Sequence, residues 1–180
     1  MISLKKIIIV IMSLMMIAVV SACSSTKSST NNSSGHGESM TSVEDLKKAE
    51  NPKYPLGTNI TITTDHMEGM KGAEGTVSGV YDTTVYAVDY TPSDGGKEVK
   101  DHKWVIKEEL EDSENKTYVV GDEVTLKNGH MSSMGGKGVK AKIVQVVEGP
   151  VYMVDYKPTD GSKEVKNHQW VIESELEAAK

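Results

Sequence analysis

The sequence predicts an all-β fold of two tandem, small SH3-like barrel modules, and two observations lead to this prediction. The chain contains an internal repeat, with one copy at about residues 55–111 and the other at about residues 119–177. Each copy contains short runs of β-forming residues separated by turn-forming residues, the pattern of about five short strands. A core of this size is only marginally stable alone, so the two modules are expected to pack together.

The two copies align at two fixed offsets, which predicts that the modules superpose. The first parts lie 64 residues apart, as in His66 and His130, and the later parts lie 66 residues apart, as in Trp104 and Trp170. The difference corresponds to two residues inserted in the second copy.

The strands of the first copy can be placed from its residue pattern. Residues 59–64 alternate isoleucine with polar residues, as a half-buried strand does. Residues 76–81 and 85–90 are rich in β-formers and flank Asp82-Thr83-Thr84, which we interpret as a hairpin turn. Residues 104–106 form a further predicted strand, and residues 107–110 a closing helical turn.

The first 22 residues have the features of a bacterial lipoprotein signal peptide. Two lysines precede an apolar run at residues 7–20, which is short for a bilayer span but typical of a signal-peptide core. Ser21 and Ala22, both small, stand directly before Cys23, the single cysteine of the chain. We therefore expect lipidation of Cys23 and anchoring at the extracellular face of the cell membrane. The alternative is an ordinary secretory peptide with a chance cysteine.

Residues 23–54 are predicted to be a flexible tether. Serine, asparagine, threonine and glycine dominate its first part, and such a composition buries too little apolar surface to fold. Thr41-Ser42-Val43-Glu44 resembles a helix capping box, so a short helix is expected here, and Asn51-Pro52 would end it.

Charge and composition argue against several function classes. Loss of the two signal-peptide lysines leaves 18 basic against 26 acidic residues, a net charge of −8, and the chain contains no arginine. Recognition of nucleic acid requires a basic face, so it is not expected. No enzyme signature such as His-Glu-x-x-His or a phosphate loop occurs. We therefore do not predict an enzyme.

Metal binding is expected in a motif that occurs once in each copy. His-Met-x-x-Met recurs in a glycine-rich connection predicted to lie between the first two strands. Thioether and imidazole donors suit Cu(I), and an exported protein without free thiols has few other soft ligands. The predicted ligands are His66, Met67 and Met70 in the first loop, and His130, Met131 and Met134 in the second. This predicts one or more Cu(I) ions per module.

Structural alternatives apply to all of these residues. The methionines could fill gaps in a core, as methionine often does. A second repeated motif places His102 two residues from Trp104, and His168 two residues from Trp170. Burial of each tryptophan beside a hydrogen-bonded histidine is one interpretation. The other is that these residues complete the metal site, with tryptophan contacting the ion through its π face.

The motifs just described resemble those of the YdhK-like domain family of Gram-positive lipoproteins, which includes CopL-type copper-binding lipoproteins. The resemblance rests on the His-Met-x-x-Met loops and on the Lys-Glu-Val-Lys-x-His-x-Trp-Val-Ile segments, and it covers about residues 55–177. It implies a membrane-anchored extracellular protein that binds copper and limits its toxicity.

Our functional hypothesis is therefore a lipoprotein that binds Cu(I) and buffers or sequesters it at the cell surface. Its expected partners are copper ions and the membrane, with a copper exporter or the cell wall as further candidates. A second hypothesis is a metal-free module that binds a cell-wall or surface ligand on aromatic grooves such as Tyr86, Tyr90 and Trp104. A third is sacrificial oxidation of exposed methionine.

Overall fold

The computed structural model describes residues 42–127 and 138–180. The described residues form seven strands, which are β1 (Asn59–Ile62), β2 (Glu74–Tyr90), β3 (Val99–Ile106), β4 (Glu123–Thr125), β5 (Lys140–Lys157), β6 (Val165–Ile172) and β7 (Leu176–Ala178). Two single-turn 3-10 helices, Lys107–Glu109 and Glu173–Glu175, follow β3 and β6. The all-β prediction is confirmed, as is the closing helical turn. No helix in the described ranges is long and apolar enough to cross a bilayer.

All seven strands belong to one antiparallel sheet. Its main order is β4-β5-β2-β1-β7, with β3 paired to β2 and β6 paired to β5. The two central strands, β2 and β5, are much longer than the others and pair along almost their whole length, from Glu74 opposite Lys157 to Tyr90 opposite Ala141. The two repeats therefore meet along their longest strands.

The predicted hairpin at Asp82-Thr83-Thr84 is wrong, because β2 continues straight through these residues. A two-residue hairpin turn needs positive backbone φ, which glycine or asparagine supplies and threonine does not. The β-branched threonines favour extended backbone instead. Opposite them lie Glu148 and Gly149 of β5, where Gly149 has a φ of +130°. The local sequence thus favours one long strand over two short ones.

Because β2 and β5 continue without a turn, each of them contributes one half to each of two groups of strands, and the two repeats exchange strands. One set of strands, here called the first lobe, contains β1, the start of β2, the end of β5, then β6 and β7. The second lobe contains β4, the start of β5, the end of β2, and β3, and is completed by a bridge between Leu110 and Leu126. Each lobe is therefore built from strands of both repeats.

The buried side chains follow the lobes rather than the repeats. The core of the first lobe contains Tyr54, Ile60, Ile62, Met70, Ala73, Val77, Val80, Tyr152, Val154, Tyr156, Val171 and Leu176. The core of the second lobe contains Tyr86, Val88, Tyr90, Val105, Leu110, Val124, Leu126, Val139, Ala141 and Ile143. A third cluster contains Leu46, Tyr81, Val85, Ala87, Trp104, Ile106, Val151, Met153 and Trp170. It holds both tryptophans, one from each repeat.

The short helix expected after residue 41 does not form in the described residues that begin at Ser42. Instead the backbone of Ala49 donates a hydrogen bond to Val80, and Lys47 accepts one from Asp82. These contacts pair the segment with β2, and Leu46 is buried against the third cluster. Pairing with a strand satisfies the same backbone groups that a helix would have satisfied.

Candidate metal centre

The first His-Met-x-x-Met motif lies between β1 and β2, in the loop where the sequence placed it. Contacts with the second repeat hold both ends of this loop. The Thr63 amide donates to the Glu175 carbonyl, and the Thr159 amide donates to the Gly69 carbonyl, each at 2.9 Å. Gly69 has a φ of +76°, and a Cβ atom there would lie 2.9 Å from Asp160 Cγ. Only glycine fits this position without a shift of its neighbours.

His66 is held by a carboxylate from the other repeat. Its Nε2 atom lies 2.7 Å from Glu175 Oε1, and both side chains are largely buried. The indole Nε1 of Trp104 donates to the other carboxylate oxygen, Oε2, at 2.9 Å. The His66 and Trp104 rings meet edge to face with centroids 6.2 Å apart. These three residues, from the loop, β3 and the second 3-10 helix, are here called the His66 cluster.

The 3-10 helix that follows β6 positions the Glu175 side chain. Its Oε2 atom also accepts the backbone N–H of Ile172 at 3.0 Å, at the start of that helix. In the other repeat, Glu109 accepts the N–H of Ile106 in the same way, at 2.8 Å. Burial alone would raise the pKa of Glu175, but hydrogen bonds from His66, Ile172 and Trp104 outweigh it, so the pKa is lowered.

The two methionines of the first loop have different environments. Met67 is half-buried, whereas Met70 is fully buried within the core of the first lobe. Its side chain therefore fills the core in this conformation, which is the packing alternative weighed from the sequence. His66 and Met67 are the two predicted ligands of this loop that lie outside the core.

His102 and His168 lie on the equivalent strands β3 and β6, each edge to face with a tyrosine. The centroid distances are 5.5 Å from Tyr90 to His102 and 5.7 Å from Tyr156 to His168. Burial is the main cause that lowers the pKa of each to about 4, and repulsion from His66 contributes when that ring is protonated. Both imidazoles are therefore neutral at neutral pH.

Trp104 and Trp170 are both buried in the third cluster, as one interpretation of the sequence expected. Trp170 packs edge to face on Tyr81 with centroids 5.8 Å apart. Within the described residues, Trp170 Nε1 and His168 Nδ1 have no hydrogen-bond partner. The equivalent indole of Trp104 donates to Glu175. The two tryptophans thus differ in their polar contacts although the repeats align.

Other predicted site residues cannot be placed. His130, Met131 and Met134 of the second loop, and Cys23, lie outside the described residues. In residues 42–127 and 138–180, no three His, Cys, Asp or Glu side chains are grouped so that they could hold a metal ion.

Sequence reasoning did not identify Glu175. A signal was present, because an acidic residue followed by leucine recurs at the offset of 66, as Glu109-Leu110 and Glu175-Leu176. Acidic residues are abundant in this chain, however, and the partner of Glu175 lies 109 residues away in sequence. Only the fold brings the two side chains together.

Comparison with known proteins adds a family and related structures. A family model described as "Protein of unknown function (DUF1541)" matches residues 56–107 and 120–173, which together make up more than half of the chain. The "Uncharacterized protein YdhK" of Bacillus subtilis (strain 168) is 50% identical over 143 residues, which cover 79% of this chain and 69% of that protein.

Two solved structures of Bacillus subtilis ydhK are similar to this fold. A crystal structure described as a DUF1541 family protein has a TM-score of 0.73 at 50% identity, and the match covers 78% of this chain and 95% of that one. A solution NMR structure of the ydhK C-terminal domain has a TM-score of 0.65 at 52% identity, covering 69% of this chain and 92% of that one.

Proposed function

The chain belongs to the DUF1541 family, which is described as being of unknown function. From the His66 cluster we propose that the protein binds Cu(I) and buffers or sequesters copper. The observation that carries this proposal is the contact between His66 Nε2 and the Glu175 carboxylate. A histidine that binds a metal through one ring nitrogen usually donates the N–H of its other ring nitrogen to a carboxylate or a carbonyl in this way. The contact leaves Nδ1 of His66 as the nitrogen that can bind an ion.

The donors around His66 favour a soft ion of low coordination number. Met67 adds a thioether next to the imidazole in the chain, and Trp104 adds an aromatic ring beside it. A thioether is a fair ligand for Cu(I) and a poor one for hard ions. It needs no deprotonation, so it stays available over a wide pH range.

The cell-wall or surface-ligand alternative loses support from the same structure. Tyr86, Tyr90 and Trp104, the residues of the hypothesised aromatic grooves, are 1%, 4% and 1% exposed. Side chains this deeply buried stabilise the cores and offer no surface on which a glycan or peptide could stack.

Replacing Met67 by leucine should weaken Cu(I) binding by at least about tenfold, because it removes the thioether at nearly constant volume. Met70→Leu is the matched control: it makes the same chemical change three residues away, inside the core, and should leave the affinity unchanged. The measurement is an anaerobic Cu(I) titration against a chromogenic competitor. Both variants are made in a background that carries Met131→Leu and Met134→Leu, so that the first loop is measured alone.

Equal affinities for the Met67→Leu variant and its parent would contradict the proposed site. A loss in Met70→Leu as large as in Met67→Leu would show that Met70 leaves the core to bind the ion. The Met70 change should cost less than about 1.5 kcal/mol of stability, so both proteins can be compared folded.

We also propose that the protein is held at the extracellular face of the membrane by lipid on Cys23, on the basis of the signal sequence alone. Cys23→Ala should move it from the membrane fraction to the medium or the soluble fraction, since the lipid attachment site is lost. Ser24→Ala, next to it, is the control and should remain membrane-bound. Membrane retention of Cys23→Ala would argue for a different anchor.

A further inference from the structure

Both oxygens of the Glu175 carboxylate are engaged in hydrogen bonds, and the two oxygens have different partners. Oε2 faces two groups that can only donate, the backbone N–H of Ile172 at 3.0 Å and the indole N–H of Trp104 at 2.9 Å. Oε1 faces Nε2 of His66 at 2.7 Å. The side chain is only 12% exposed, so water can replace these partners only to a small extent.

This arrangement fixes the position of the proton on the His66 ring. An ionised carboxylate oxygen can only accept, so Nε2 must carry the hydrogen and donate it to Oε1. A neutral imidazole carries a single ring hydrogen. Nδ1 of His66 is then the unprotonated nitrogen with a free lone pair, which is the form that a metal ligand requires.

We propose that Glu175 is the positioning residue of the first loop, holding His66 in the Nε2–H tautomer with Nδ1 directed to bind a soft metal ion. This inference rests on the proposed function for the metal, but the assignment of the tautomer does not. The candidate site is then built from residues of both repeats. The ligand comes from the first repeat, and the residue that orients it comes from the second.

Glu175→Gln tests the assignment because the amide has the same shape and a different donor pattern. Ile172 and Trp104 both need an acceptor, so they hold the amide oxygen at the Oε2 position. The NH2 group then faces His66 and donates to Nε2. The ring hydrogen should therefore move to Nδ1. Long-range 15N–1H correlation spectra of the imidazole, recorded at neutral pH without metal, report which nitrogen is protonated.

We expect the Nε2–H form in the parent protein and the Nδ1–H form in Glu175→Gln. Glu177→Gln is the matched control, since it makes the same change at an exposed residue of β7, two positions after Glu175, and should keep the parent tautomer. A parent spectrum that shows Nδ1–H overturns the proposal, and this holds even if Glu175→Gln fails to fold. An Nε2–H form that persists in folded Glu175→Gln also overturns it.

Binding of Cu(I) provides the second readout. Loss of a residue that orients a metal ligand typically weakens affinity by about 10- to 100-fold, and we expect this for Glu175→Gln but not for Glu177→Gln. An unchanged affinity in a variant whose tautomer has switched would overturn the claim that Nδ1 binds the ion. A parent that binds no Cu(I) would overturn the proposed function, whereas a tautomer switch in the same samples would still support the assignment of Glu175.

Discussion

A fragment that contains only the first repeat, residues 42–116, will not fold as a monomer. In the intact protein β1 lies between β2 and β7, and the first part of β2 lies between β1 and the end of β5. The fragment lacks β5 and β7. Five of the twelve side chains of the first core are also missing, namely Tyr152, Val154, Tyr156, Val171 and Leu176. Without them the apolar area that is buried cannot offset the conformational entropy of the chain.

Circular dichroism, amide chemical-shift dispersion and size-exclusion chromatography would measure this outcome. We expect either an unfolded chain or a homodimer in which two copies exchange strands as the two repeats do. Mixing the fragment with residues 117–180 should restore the folded signal. The control is the full chain cut by an inserted protease site between Asn115 and Lys116, both exposed, which should remain folded. A well-folded monomer of residues 42–116 would contradict the exchange of strands.

Acid will destabilise the protein already at pH values well above those at which carboxylates titrate. The folded-state pKa of His168 and of His102 is about 4, below the unfolded value of about 6.5. Below pH 6.5 the unfolded chain therefore binds protons that the folded protein excludes. The contribution of the two neutral histidines to the free energy of unfolding is complete above pH 6.5 and is lost as the pH falls towards 4. The loss is about 3 kcal/mol for His168 and less for the more exposed His102.

Urea unfolding at a series of pH values between 7 and 4 measures this loss. His168→Gln removes one of the two groups, so its free energy of unfolding should fall less steeply over the same range. His36→Gln, in the predicted tether, is the control and should follow the parent. The lowered pKa of Glu175 adds a further loss in the acid range below its unfolded value, and this loss is common to all three proteins. Equal slopes for His168→Gln and the parent would show that His168 is not the group responsible.

The strands could be predicted from the sequence, but the partners of the strands could not. Alternation of apolar and polar residues in 76–81 and 85–90 is the same whether the chain turns at Asp82 or continues straight. In either case the same side chains face the core. The choice between a hairpin and one long strand depends on a turn conformation that Thr83 and Thr84 disfavour.

The candidate site was predictable only in the part that is local in sequence. His66 and Met67 are adjacent and belong to a motif that repeats, so the pattern could identify them. Met70 belongs to the same motif but faces the core of the first lobe, which depends on how the loop folds back. Glu175 and Trp104 join the cluster only through the exchange of strands between the repeats.

Pairing of the first strand with the last also determines when the protein can fold. β1 follows the predicted tether, yet its neighbour β7 (Leu176–Ala178) lies more than one hundred residues later in the chain. A chain that emerges from the ribosome with its N-terminus first cannot close the first lobe until β7 appears. Until then β1 and β2 have unpaired edges, which are prone to aggregation. His66 is therefore synthesised well before its carboxylate partner Glu175, so a chain that terminates between the two would carry the loop without this contact.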